Sequence, residues 1–279
     1  MPLTPTGRLV ADAAAANRGL AAFNVITVEH AEAIVAGAER AGLPVILQIS
    51  QNAVKFHGGR LGPIAAATAA VAELSTVDCA LHLDHVEDLA LLRQAPAHRF
   101  GSVMYDGSTL PYAENVAATR DAAAYCHEHG LWLESELGEV GGKDGAHAPG
   151  VRTDPGEARE FVAATGVDAL AVAVGSSHAM TSRSASLDHA LIERIAAAVP
   201  VPLVLHGSSG VPDDELAAAV RAGMVKINIG TALNIAFTGA VRTVLAGDDK
   251  LVDPRKYLVP ARDAMADAVA HFLTVLAGR

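Results

Sequence analysis

The sequence predicts an α/β fold: a (β/α)8 TIM barrel spanning residues 1–279 as one domain, with an extra N-terminal helix and a C-terminal helix. Three observations carry this. Apolar strand-like runs alternate with helical patterns at a spacing of roughly 25 to 35 residues, the rhythm of β/α units in series. No low-complexity linker interrupts them. Polar residues gather at the carboxyl ends of runs that a buried parallel strand would otherwise keep apolar, as in barrels whose chemistry sits at one rim. A doubly wound sheet is the alternative arrangement of the same units.

Strand candidates lie near 20–25, 44–50, 79–84 and 102–106, then 131–137, 169–174, 202–206 and 225–229. Helical segments between them run 28–41, 61–74, 86–94, 111–129, 155–165, 187–198, 213–222 and 231–245, and the C-terminal helix runs from about Pro260 to Leu276. Helix-entry residues support these starts: Thr27 precedes Glu29, Pro111 suits a first helical position, and Asp154 with Pro155 can cap and open the fifth helix.

Of the residues 51% are hydrophobic but only 4% aromatic, so the core must be filled by small and branched side chains. A net charge of −10 without a Lys/Arg cluster argues against a nucleic-acid partner. No apolar run approaches the length of a membrane span, and the N-terminal stretch lacks the apolar core of a secretory leader, so a cytoplasmic protein is expected. Cys79 and Cys126 form no CxxC pair and read as reduced core thiols.

The strand ends carry the chemistry. His82, Asp84 and His85 close the third strand, Glu134 and Glu136 the fifth; His178 follows the sixth, His206 closes the seventh and Asn228 the eighth. Three histidines at equivalent rim positions, His85, His178 and His206, match a catalytic zinc arrangement with an open fourth position. Such a metal can polarise an adjacent carbonyl and hydroxyl and stabilise an enediolate.

Strand alternation places His82, Glu134 and Lys226 on the same inward parity as Asp84, Glu136 and Asn228, one layer deeper. A buried lysine and a buried glutamate are each unfavourable alone, so a structural Lys226–Glu134 ion pair is expected, with His82 beside it. The competing use of Lys226 is a Schiff base with a carbonyl substrate. Two turns, His206-Gly207-Ser208-Ser209-Gly210 and Asn228-Ile229-Gly230-Thr231, follow the seventh and eighth strands, where this architecture binds phosphate through backbone N–H groups and a helix N-terminus.

AFNV at 22–25, HLDH at 82–85, ESELGEVGG at 134–142, TDP at 153–155, GSSH at 175–178, LHGSSG at 205–210, KINIGT at 226–231 and DPRKYLVPARDAM at 253–265 run in order along nearly the whole chain. In this the sequence resembles the class II fructose-bisphosphate and tagatose-bisphosphate aldolases. The resemblance implies reversible cleavage of a ketose 1,6-bisphosphate, or a related ketose phosphate, to dihydroxyacetone phosphate and an aldehyde such as glyceraldehyde 3-phosphate. It implies zinc on His85, His178 and His206, with Glu136 able to approach the metal, and Asp84 exchanging the proton of the aldehyde oxygen. It further implies that Gly207, Ser209, Asn228 and Thr231 hold dihydroxyacetone phosphate, with sodium or potassium bound nearby, and that Asn24 and Ser50 face the substrate. The family likeness suggests a homodimer or homotetramer.

The sequence departs from the family pattern at two places. The glutamate expected on the loop after the GG pair is replaced by Gly141-Gly142-Lys143-Asp144-Gly145, where Asp144 can take the role of proton-abstracting base. Ala179 and the TSRSAS stretch replace a glycine and a lysine-bearing segment, with Arg183 a substitute cation. These changes motivate a second reading, a catalytically weakened phosphosugar-binding barrel, and a metal-dependent hydrolase is a third.

Overall fold

In the computed structural model, which describes residues 3–137, 152–177 and 180–278, eight parallel strands close into a barrel in chain order. They are β1 (Leu20–Asn24), β2 (Val45–Ser50), β3 (Cys79–Val86), β4 (Ser102–Tyr105), β5 (Trp132–Glu136), β6 (Ala169–Ala171), β7 (Leu203–Leu205) and β8 (Met224–Ile229). This is the predicted TIM barrel. Helix α1 (Thr6–Ala15) precedes it, and the outer ring comprises α2 (Val28–Ala41), α3 (Gln51–Phe56), α4 (Leu61–Glu73), α5 (Leu89–Leu92), α6 (Tyr112–Glu128), α7 (Pro155–Thr165), α8 (His189–Ala198), α9 (Asp213–Ala222), α10 (Thr231–Gly247) and α11 (Pro254–Leu276).

Alternation along the strands divides the core in two. Outward residues such as Leu47, Ile49, Leu81, Leu83, Leu133, Leu205 and Ile227 pack beneath the helices. Inward residues fill the lumen: Leu20, Ala22, Ile46, Ala80 and Val225 meet Leu9, Val10 and Ala13 of α1, which closes the amino-terminal end. Met104, Ala169, Ala171 and Val204 form a further inward cluster. Ala22, Ala80, Ala169 and Ala171 thus sit where strands converge on a narrow interior.

Helix α7 shows how local chemistry sets the boundaries. Asp154 accepts from the N–H groups of Gly156 and Glu157, Pro155 occupies the first turn, and Gly166 ends the helix at φ 71°. The same Asp-Pro device corrects one expectation: Asp253 caps and Pro254 opens α11, so the helix begins before Pro260 and carries that proline inside it. Two further corrections concern the rim. The helix expected over 86–94 shrinks to α5 because β3 runs on to Val86, and the short α3, not anticipated, follows β2 directly. No helix among the described residues is long and apolar enough to cross a membrane, and Cys79 and Cys126 are buried free thiols.

Candidate active site

The carboxyl ends of the strands open into a cleft of about 760 Å³ whose lining includes Asn24, Gln48, Ser50, Asp84, His85, Asp106, Glu136, His206 and Asn228. Simple alternation would send His85 outward with Leu81 and Leu83. Instead the β3–β4 register shifts between Leu83 and Val86, and His85 takes a left-handed φ of 47°. This bulge turns His85 to the same rim as Asp84, at a backbone conformation that a β-strand residue seldom adopts.

His85 Nε2 and His206 Nδ1 face each other at 3.0 Å. Each ring is held from behind by a carboxylate: His85 Nδ1–H donates to Asp106 Oδ2 (2.9 Å) and His206 Nε2–H donates to Glu134 Oε1 (2.8 Å). With the rear nitrogens tied to carboxylates, both front nitrogens converge on one point, where a proton on His85 bridges them and where a cation can take that proton's place, as in carboxylate-backed metal histidines. Asp84, His85 and His206 bring one ligand atom each within 4.8 Å of one another, as do His85, Asp106 and Glu136. Burial opposes a charged His85 ring, but Asp84, Asp106 and Glu136 outweigh it and lift the imidazole to about 10. The donors therefore fit a divalent cation.

Below the rim, Lys226 Nζ lies 2.8 Å from Glu134 Oε2 and donates to Asn228 Oδ1 at 2.7 Å. That bond fixes the Asn228 amide so that Nδ2 faces Asp84 Oδ1 (3.5 Å) and His206 Nε2 (3.1 Å). A salt-bridged ammonium has no lone pair for Schiff-base attack. His82 donates or accepts through Nδ1 with Ser102 Oγ (2.7 Å), its lateral neighbour in the β3–β4 register. Complete burial, reinforced by the nearby Lys226 charge, pushes its imidazole well below the ordinary range. Burial lifts the Asp84 carboxyl above its usual value, against the pull of His85 and Lys226.

The glycine turns are shaped by close approach. A Cβ on Gly207 would lie 2.6 Å from the Ser177 backbone, and φ of 68° independently favours glycine there; one on Gly230 would lie 2.7 Å from Asn24 Oδ1. Ser209 Oγ accepts from Ala232 N–H, tying the β7 turn to the first turn of α10. Gly207, Ser209, Gly230 and Thr231 line the cleft. Ser208 Oγ donates inward to Leu205 O and Ile229 packs in the outer core, so what these two residues offer the cleft is backbone rather than side chain. Arg183 is likewise committed elsewhere, to Val211 O and Asp213 and over the Phe272 ring. His178, Ala179, Asp144 and the segment 138–151 lie outside the described residues.

Sequence reasoning passed over two residues. Gln48 Nε2 faces both Asn24 Oδ1 (3.0 Å) and Asp84 Oδ2 (3.3 Å), and its inward parity on β2 was the available signal. Asp106, directly after β4, occupied a rim position like that of Glu136.

The profile described as class-II fructose-bisphosphate aldolase matches residues 4–278. The chain belongs to this aldolase family. It is 37% identical over 272 residues to the fructose-bisphosphate aldolase of Staphylococcus aureus strain Mu50, covering 96% of this chain and 95% of that one. Among solved structures, the YdjI aldolase of Escherichia coli K12 superposes with a TM-score of 0.82 at 28% identity, over 98% and 97% of the two chains. The fructose-bisphosphate aldolase of Campylobacter jejuni shares the fold at a TM-score of 0.83 and 23% identity, over 99% and 95%. The protein is thus an aldehyde-lyase of carbohydrate metabolism, from a family that is generally metal-dependent and acts on phosphorylated sugars.

Proposed function

We propose that this aldolase reversibly cleaves a ketose 1,6-bisphosphate of the fructose or tagatose type to dihydroxyacetone phosphate and glyceraldehyde 3-phosphate, with zinc as its metal. The observation that carries the reading is the convergence of His85 Nε2 and His206 Nδ1, beside Asp84, in one cleft with the glycine turns of β7 and β8.

His85, His206 and His178 would hold the ion, with Glu136 able to approach it; a nitrogen-rich donor set suits zinc better than magnesium or calcium. Bound there, zinc supplies Lewis-acid polarisation of the ketose carbonyl and neighbouring hydroxyl. Gly207, Ser209, Gly230 and Thr231 hold the 1-phosphate through N–H groups and hydroxyls at the start of α10, with sodium or potassium nearby. Asn228 orients the reacting end, and Asn24 and Ser50 contact the chain of the sugar. In cleavage Asp84 accepts the proton of the C4 hydroxyl as the C3–C4 bond breaks, and in condensation it returns that proton to the aldehyde oxygen. Asp144 is the base that exchanges the proton at C3 of dihydroxyacetone phosphate. The aldolase acts in the cytoplasm as a single-domain subunit of a homodimer or homotetramer.

A coupled assay for triose phosphate release from fructose and tagatose 1,6-bisphosphates tests this. Activity should vanish after chelation and return with zinc. Full activity in chelator, or no cleavage of either epimer with zinc supplied, would remove the proposal.

A further inference from the structure

Arg183, on the stretch between β6 and α8, donates both Nε–H and an Nη2–H to Val211 O (2.9 and 2.6 Å). Nη2 also meets Asp213 Oδ1 at 2.5 Å, and the guanidinium lies 5.1 Å from the centre of the Phe272 ring of α11. Asp213 stands in the first turn of α9, and its other oxygen is 2.9 Å from His271 Nε2. The cation is thus anchored beside the cleft rather than in it, at the point where the chain leaves the β7 turn.

That turn packs against the same stretch residue by residue. Ser176 Oγ–H donates to His206 O at 2.6 Å. A Cβ on Gly207 would meet the Ser177 backbone at 2.6 Å, and one on Gly210 the Met180 side chain at 2.5 Å. Ala185 N–H donates to Gly210 O at 2.9 Å, and Arg183 closes the series at Val211. Glycines let the two segments approach this closely, yet they leave the turn little rigidity of its own. On its far side Ser209 Oγ accepts from Ala232 N–H, so the turn is clasped between the stretch after β6 and the start of α10.

Resting on the proposed phosphate site in the β7 and β8 turns, we infer that Arg183 is a positioning residue. By latching the stretch after β6 to Val211 and Asp213, it holds the 207–210 turn in the shape that receives the 1-phosphate, without touching the phosphate itself.

The test is a calorimetric titration of the metal-loaded protein with dihydroxyacetone phosphate and with dihydroxyacetone, which lacks the phosphate. The wild type should bind the ester more tightly. Arg183→Gln should weaken the ester about tenfold, because ordering the turn then falls on the binding step, and leave dihydroxyacetone unchanged. Asp213→Asn separates indirect from direct action. It loosens the latch and should weaken the ester too, with the double variant no worse than Arg183→Gln alone. Were the guanidinium a phosphate ligand, releasing it from Asp213 would tighten binding instead. Tighter binding in Asp213→Asn, additive losses, an unchanged ester affinity in Arg183→Gln or equal losses for both ligands overturns the inference. A wild type without preference for the ester overturns the phosphate reading and the latch with it. An Arg183-dependent preference in a protein that cleaves no ketose bisphosphate would overturn the proposed activity and leave the latch standing.

Discussion

Glu134 bridges two layers of the barrel: Oε2 lies 2.8 Å from Lys226 Nζ, and Oε1 accepts from His206 Nε2–H at 2.8 Å. All three side chains are fully buried. The ion pair thereby fixes which nitrogen of His206 faces the cleft, linking a structural charge pair to the chemistry above it.

Removing one partner of such a pair leaves a buried charge unmatched. Lys226→Met should lower unfolding stability by about 3–5 kcal/mol in urea titrations, and adding Glu134→Gln should recover part of that loss. Equal stability of wild type and Lys226→Met would show that the pair contributes nothing. Borohydride with substrate should leave Lys226 unmodified, as its ammonium is held by Glu134 and Asn228.

Asp106 holds the His85 ring from behind, accepting its Nδ1–H at 2.9 Å. Asp106→Ala removes the acceptor that orients the ring and enriches its front nitrogen. Zinc affinity, measured against a competing chromophoric chelator, should fall about 10–100-fold. Undiminished affinity would mean that the bulged backbone of β3 orients His85 by itself.

The contrast between His85 and Asp84 shows what the sequence could reveal. The barrel was legible because eight apolar runs with polar ends permit few arrangements, and the deep Glu134–Lys226 layer follows from inward parity. His85 has the wrong parity for the rim; only the register shift opposite β4, with its left-handed φ, brings it there, and no local residue pattern announces that bulge. Helix α3 escaped notice for a different reason: six residues are too few for a helical period to emerge from the sequence. At Ser208 the hydroxyl turns back to Leu205 O, a side-chain direction that the residues of a turn do not announce.

His30 gives the fold a sensitivity to acid. Its ring stacks on Phe237 of α10 at 5.5 Å, its Nδ1 accepts from Thr27 N–H, and burial lowers its pKa from the ordinary 6.5. As pH falls through about 6.5 the unfolded chain takes up a proton that the folded ring resists, so stability declines toward the folded pKa. His30→Gln keeps an acceptor for the capping box but does not titrate. Its melting temperature should drop less than that of the wild type between about pH 7 and pH 5. Parallel curves for the two proteins would discard this role for His30.

Gly230 tests the coupling between the phosphate turn and the proton-carrying carboxylate. A methyl group there would stand 2.7 Å from Asn24 Oδ1, the oxygen that accepts from Gln48 Nε2 at 3.0 Å, and that same Nε2 lies 3.3 Å from Asp84 Oδ2. Asn24 cannot retreat without disturbing Gln48, and Gln48 cannot move without changing the surroundings of Asp84. Gly230→Ala should therefore destabilise the fold by about 1–3 kcal/mol, as overpacking does, and lower kcat for ketose bisphosphate cleavage as well as raising KM. Truncating the obstructing side chain makes the mechanism specific: in an Asn24→Ala background the added methyl should have little effect on stability, so the two substitutions should be strongly non-additive. Additive losses, or a change in KM with kcat intact, would separate the turn from Asp84 and confine Gly230 to the phosphate.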